Sequence, residues 1–371
     1  MKGFFVLRNY GLDVGKMFAM FGVVVLHTLL SRGNLAVIDF GSVNFYISWF
    51  LETLFYGSVD IFAMITGYLM WNRRAKISSA LYIYIQVFVT VLICLLVACY
   101  QLPLQVDKTS ILEAICPPLF GHSTYWYIAS YLFMYMFIPI MNFAIQKMRR
   151  TQHLYLLFAL MLAFCILPYF VRMDNLFLLQ QYSPFLLIAM YFFGAYAGKY
   201  PPQKYLRARR YLLYAMLCVL GTYALTIGYD FYLATFKDIT APNYKFASYA
   251  APLVVMSSYY FVRFFSNLKT SISVERFLRK YSVATFGVYV IHCNYFVYTY
   301  LFSVFCRKFF PVAGPFEFLM VFIIVLVTFF VCLFLDRIRY LLFNLFQVRQ
   351  FCDSVERKLT NSIKTRFGVI Q

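Results

Sequence analysis

Residues 313–335 read AGPFEFLMVFIIVLVTFFVCLFL, with Glu317 the one charged residue, and run straight into Asp336-Arg337-Ile338-Arg339. A hydrocarbon core about 30 Å thick takes about 20 apolar residues per helix, so this run reads as a membrane-spanning helix stopped by charge. Outward from it, comparable segments recur near 14–31, 45–70, 81–100, 124–146, 153–171, 183–200, 211–229, 247–266 and 284–304. The expectation is ten spans, with 1–336 a transmembrane domain and 337–371 a basic tail. Composition agrees: 63% of the 371 residues are hydrophobic and 13% charged, where soluble domains carry about 45–50% and about 25%. Backbone amides in lipid must bond within their own segment, and these runs are continuous rather than alternating. The fold class expected is therefore all-α, a polytopic helical bundle, and a β-barrel is excluded. No small-residue cleavage site follows the first apolar segment, which is read as a retained span.

The formal net charge of +19 raises nucleic acid as a partner, but the placement of the 33 basic residues argues against it. Lys2, Arg8 and Lys16, then Arg73-Arg74-Ala75-Lys76, Lys147-Met148-Arg149-Arg150, 199–210, 263–280 and 337–366 together hold 26 of the 33. The alternate connections hold the other seven. Basic residues stay on the cytoplasmic side, so the bias predicts both termini inside and an even number of spans, with anionic lipid headgroups as partners and no nucleic acid. In the tail, Arg337, Arg339, Arg349, Arg357, Lys358, Lys364 and Arg366 alternate with Leu and Phe at helical spacing, which reads as a helix lying along the inner surface. Aromatics crowd the ends of spans, as at Tyr125-Trp126-Tyr127, where rings sit at headgroup level. The nine cysteines are scattered with no metal or redox spacing, so no metal site is expected and cysteine points to no function.

Ionisable groups inside a span are costly and mark function by default. In the first span Asp13, Lys16 and His27 share one face: the step from Lys16 to His27 is eleven residues, about 1100° of helical rotation, close to three full turns. Lys16 then sits at the cytoplasmic boundary and His27 about 16 Å deeper. Imidazole titrates near neutrality, which suits His27 to take a proton from an attacking hydroxyl and return it to a leaving group. Asp60, in Gly57-Ser58-Val59-Asp60-Ile61-Phe62, is an intramembrane carboxylate able to orient a histidine, and Asp13 is placed to tune its basic neighbours. Glu52 is a further carboxylate of this kind. His153, beside the basic cluster at 147–150, reads as a solvated loop residue.

Several landmarks occur in order along the chain: the opening Gly11-Leu12-Asp13, Lys16 with ten residues before His27, the Gly-Ser-Val-Asp-Ile-Phe segment leading through Thr66-Gly67-Tyr68-Leu69 to Arg73-Arg74, Trp126 with Pro139, and Ser282 before Phe286-Gly287-Val288-Tyr289-Val290-Ile291-His292. Together they resemble the membrane acyltransferase type 3 family. The resemblance implies a ten-helix O-acyltransferase that draws an acetyl or other short acyl group from acyl-CoA, acetyl-CoA first, on the cytoplasmic side of a bacterial membrane. The acceptor implied is a hydroxyl of a surface polysaccharide or lipid-linked glycan, with polysaccharide-assembly proteins as possible partners. On this basis His27 is the catalytic base, with Asp13 and Asp60 as supporting carboxylates. Lys16, Arg73 and Arg74 fall on the family's basic positions and would pair with coenzyme A phosphates. Trp126, Ser282, Tyr289 and His292 fall on its remaining motifs, as substrate-contacting or positioning residues.

Three features depart from the family pattern. Lys16 stands where the family usually has arginine, keeping the charge without the planar fork. Thr124 occupies the position two before Trp126 where relatives carry histidine, and His122 lies two residues earlier. With no esterase-like domain after the last span, transfer is expected to finish within the bundle or pass to a partner. A transporter or flippase for a glycan precursor is the alternative reading of ten spans and many aromatics; it has no need of the Lys16 to His27 spacing.

Overall fold

The computed structural model describes residues 8–31, 38–101, 106, 108–115, 125–168, 182–201, 208–309 and 317–367, and every regular element in them is helical. In chain order α1 is Tyr10–Ser31, α2 Val43–Phe55, α3 Ser58–Met70, α4 Ile77–Gln101, α5 Lys108–Ile115, α6 Trp126–Lys147 and α7 Arg150–Leu160. There follow α8 Pro184–Lys199, α9 Ala208–Lys237, α10 Pro252–Ser266, α11 Ile272–Tyr281, α12 Thr285–His292, α13 Ser303–Phe309, α14 Glu317–Leu345 and α15 Val348–Phe367. Among the described residues six helical stretches are long and apolar enough to cross a membrane, or seven if the bent pair Ile272–His292 and Val297–Lys308 is one span.

The expected spans near 14–31, 45–70, 81–100, 124–146, 211–229 and 313–335 coincide with those six, and 284–304 with the bent pair. Those near 153–171, 183–200 and 247–266 correspond to shorter described helices. Pro184 and Pro252 each stand in the first turn, where a missing amide is harmless; α8 keeps its expected bounds to within a residue, and α10 starts five residues later than expected. With 16 residues, α8 is about 24 Å long, less than the hydrocarbon thickness. It is buried along most of its length against α3 and α6.

Burial is inverted relative to a water-soluble bundle. Along α14, Phe322, Ile323, Phe330, Val331 and Phe334 are exposed while Val321, Ile324, Val325, Phe329 and Leu333 are buried, an apolar stripe outward and another inward. Exposed apolar faces of this extent need lipid as solvent, and the chain is a multi-pass membrane protein. Gly67 and Gly194 bring α3 and α8 into backbone contact: a Cβ on Gly67 would overlap the Tyr191 carbonyl, and one on Gly194 the Met64 carbonyl. Close approach through small residues is the ordinary way for helices to associate where no hydrophobic effect drives them together.

The basic segments meet at one end of the bundle through a continuous set of side-chain bonds to backbone carbonyls. Asn142 donates to Met70 O and Arg73 O, Lys199 to Met148 O, Arg263 to Ala197 O, and Asn9 to Ser266 O. Helix α15 joins the same end, where Glu356 accepts from the Ser78 amide at 3.2 Å and Arg349 donates to Ser79 Oγ at 3.3 Å. The boundary expected at 336/337 falls inside α14. Arg339 neutralises Asp336 within the helix at 2.7 Å, so the run of charge does not stop it. The break comes at Phe346–Gln347, with Gln347 in the left-handed region at φ 52°.

A candidate active site between two histidines

α1 and α12 pack side by side, both rising from the basic end. Arg8, just before α1, ties their lower ends: its Nε bonds Asp13 Oδ2 at 2.7 Å and its Nη2 donates to Ser282 Oγ at 2.6 Å. Ten residues above Ser282 and eleven above Lys16, the two helices bring His292 and His27 together, with His27 Nδ1 3.0 Å from His292 Nε2. The element carrying His292 then breaks, and the chain turns by 78° into the helix from Val297. Asn294 Oδ1 accepts from the Phe296 amide at 3.2 Å, covering a donor that the break exposes.

One backbone carbonyl sets the protonation pattern of this pair. His292 Nδ1 lies 2.6 Å from Val288 O, one helical turn back. A carbonyl only accepts, so Nδ1 carries the hydrogen and the neutral ring presents a bare Nε2. The shared proton then sits on His27 Nδ1, donated to His292. That leaves the lone pair of His27 on Nε2, which has no hydrogen-bond partner among the described residues. His27 lines a narrow cavity of about 30 Å³ with Trp126, Tyr127, Tyr249 and Tyr289. That is room for a water or two. Trp126 stacks on Tyr249 at 6.0 Å and meets Tyr182 edge-on at 4.8 Å.

Most of the residues expected at the site fall into two groups. His27, Trp126 and Tyr289 line the cavity, with His292 bonded to His27. Asp13, Lys16 and Ser282 gather with Arg8 at the basic end, where Lys16 Nζ lies 3.2 Å from Asp13 Oδ1. Asp13 thus serves Lys16 and Arg8 instead of the imidazole. Asp60 is fully buried and neither carboxylate oxygen has a hydrogen-bond partner among the described residues, so His27 is oriented by His292 and not by Asp60. The Arg73 carbonyl accepts from Asn142 Nδ2 at 2.9 Å. Arg74 lines a separate groove with Lys76 and Arg357. No described contact joins either arginine to Lys16.

Glu52 is buried on α2, electrostatically close to Tyr244 and Tyr249. His153 is fully buried, correcting its reading as a solvated residue. Gln152 caps the Arg149 amide, so α7 starts at Arg150, three residues before the expected span, and His153 faces α8 with its Nε2 3.1 Å from Phe192 O. His122 and Thr124 lie outside the described residues.

Sequence reading missed two participants. In the sequence Arg8 reads only as charge, yet Asp13, five residues on, accepts from its Nε. Cys293 reads as one of nine scattered cysteines, yet its Sγ lies 3.4 Å from both His27 Nδ1 and His292 Nε2. Adjacency to His292 was the one signal pointing to it. A family model described as an acyltransferase domain matches residues 9–337. No curated protein and no solved structure matches the chain.

Proposed function

The chain belongs to the membrane acyltransferase type 3 family, and on that footing we propose that it moves a short acyl group, acetyl first, from acyl-CoA to a hydroxyl of a surface or lipid-linked glycan. The observation that carries the reading is the ordered line Val288 O, His292, His27, which leaves a bare imidazole nitrogen on a residue lining a cavity.

In the proposed step, His27 Nε2 takes the proton of the acceptor hydroxyl as its oxygen attacks the thioester carbonyl. The carbon–sulfur bond then breaks, and His27 returns the proton to the departing thiolate. While His27 is an imidazolium, its Nδ1–H stays bonded to His292 Nε2, and the His292 Nδ1–H to Val288 O, so the charge is solvated by fixed dipoles rather than by water. The step uses no metal ion. Lys16, Arg73 and Arg74 hold the coenzyme phosphates in this proposal. Lys16 is held ready by Asp13, which Arg8 also neutralises. The cavity must widen to admit both substrates, and Trp126, Tyr249 and Tyr182 offer the acceptor sugar an aromatic platform. The proposed setting is a bacterial cytoplasmic membrane crossed ten times, with the basic end inside.

Transfer of radiolabelled acetyl from acetyl-CoA into surface glycan, compared between membranes carrying the wild type and His27→Ala, tests this. General acid–base catalysis contributes about 10²–10⁴-fold, so loss of at least about a hundredfold is expected in a variant that stays monodisperse in detergent. Undiminished transfer in that variant would remove His27 from the mechanism. A transporter for a glycan precursor is the second reading, favoured by the broken helix at 293–296, a device transporters use at midplane sites. Absence of acyl-donor consumption by the wild type would put it first.

A further inference from the structure

His27 Nδ1, His292 Nε2 and Cys293 Sγ form a triangle with edges of 3.0, 3.4 and 3.4 Å. His292 and Cys293 are fully buried, and His27 is partly so beside the cavity. We infer that this triangle is a binding site for a thiophilic divalent cation of the zinc class, exclusive with catalysis. At Zn–N of about 2.0–2.1 Å and Zn–S of about 2.3 Å, these separations subtend about 90–105° at a common centre, near tetrahedral. Three protein ligands leave a fourth position open.

A second observation supports the donor set. His292 already donates its other ring hydrogen to a backbone carbonyl, the outer contact by which ligating histidines are usually oriented, so its Nε2 needs no rearrangement to bind. Two imidazoles and a thiolate suit zinc, cobalt(II) or copper and offer nothing to magnesium or calcium, which take oxygen ligands. The ligands come from two helices and the break beside them, held by the packing of α1 on α12.

Binding balances simply. His27 moves its proton from Nδ1 to Nε2, the Cys293 thiol gives its proton to water, and one proton is released per ion. His27 Nε2 then carries hydrogen and cannot act as a base, so occupation inhibits acyl transfer; this consequence rests on the role proposed for His27, while the site itself does not.

The test is titration of the tag-free, detergent-purified full chain with cobalt(II) chloride, followed in the ultraviolet and visible. One ion per chain is expected, with a thiolate-to-cobalt charge-transfer band that zinc chloride displaces and magnesium chloride does not. The band should vanish in Cys293→Ser, with affinity weakened by about tenfold or more. Wild-type protein with no such band, or a band that persists in Cys293→Ser, would overturn the site, and the first needs no variant to fold. The acetyl-transfer assay is independent. If His27→Ala transfers normally while the wild-type cobalt band forms, the base role proposed for His27 fails and the ion site stands; if His27→Ala loses transfer and the wild type shows no band, the ion site fails and the base role stands.

Discussion

His27 draws its directionality from a residue 265 positions away. With Nδ1–H held by His292, the base lone pair can lie only on Nε2. The sensitive test of that arrangement is His292→Gln, which removes the fixed acceptor while keeping a polar group of similar reach. Mispositioning a catalytic histidine's tautomer in serine proteases costs about 10⁴-fold in kcat. For His292→Gln a fall in kcat of about a hundredfold or more, with KM for the acyl donor little changed, is expected in steady-state transfer assays. A change confined to KM would show that His292 contacts the donor instead. The face argument for α1 puts Asp13, Lys16 and His27 in one line. It did not reveal that the lower two pair with each other and with Arg8, because opposite charges one turn apart satisfy each other before either reaches a histidine several turns above.

At the level of elements, small residues and caps decide how the helices seat. Gly67 and Gly194 let α3 and α8 touch backbone to backbone, and Gly67→Val pushes a side chain against a carbonyl that cannot swing aside. Overpacking costs about 1–3 kcal/mol where side chains can adjust, and more is expected against backbone. A lowered melting temperature in detergent with loss of monodispersity is the measurement, and unchanged melting would show that the helices separate freely.

Helix α15 packs against α4 with polar contacts at Ser78 and Ser79. Hydrogen bonding from Ser78, with the Arg74 guanidinium nearby, holds the Glu356 carboxyl below its ordinary range. A depressed carboxylate pKa adds stability that is complete above the unfolded value of about 4.3 and is lost as pH falls through the lower folded value. Protease cleavage of α15 is therefore expected to rise as pH drops below about 4.3 in the wild type and to be raised already at neutral pH in Glu356→Gln. Equal cleavage of both proteins at neutral pH would remove Glu356 from the docking contact.

Across the whole molecule, charge sorting along the chain became geometry: Arg73, Lys147 to Arg150, Lys199, Arg263, Arg8 and α15 meet at one end, while Lys245 packs on Tyr229 and Phe246 elsewhere. If that end is cytoplasmic, an epitope inserted after Lys245 should be reached by antibody on sealed cells, and one at the C-terminus only after permeabilisation. The reverse pattern would invert the orientation. By itself the sequence determined that the chain is an all-helical multi-pass membrane protein and where its longest apolar helices run, because hydropathy and the 3.6-residue period act within one segment at a time. Only the tertiary structure decided that His27 meets His292 and Cys293, that a carbonyl one turn back sets both tautomers, that the helix breaks there, and that His153 is buried. Contacts between helices depend on interlocking shapes and caps distributed over hundreds of residues, and no local period encodes them.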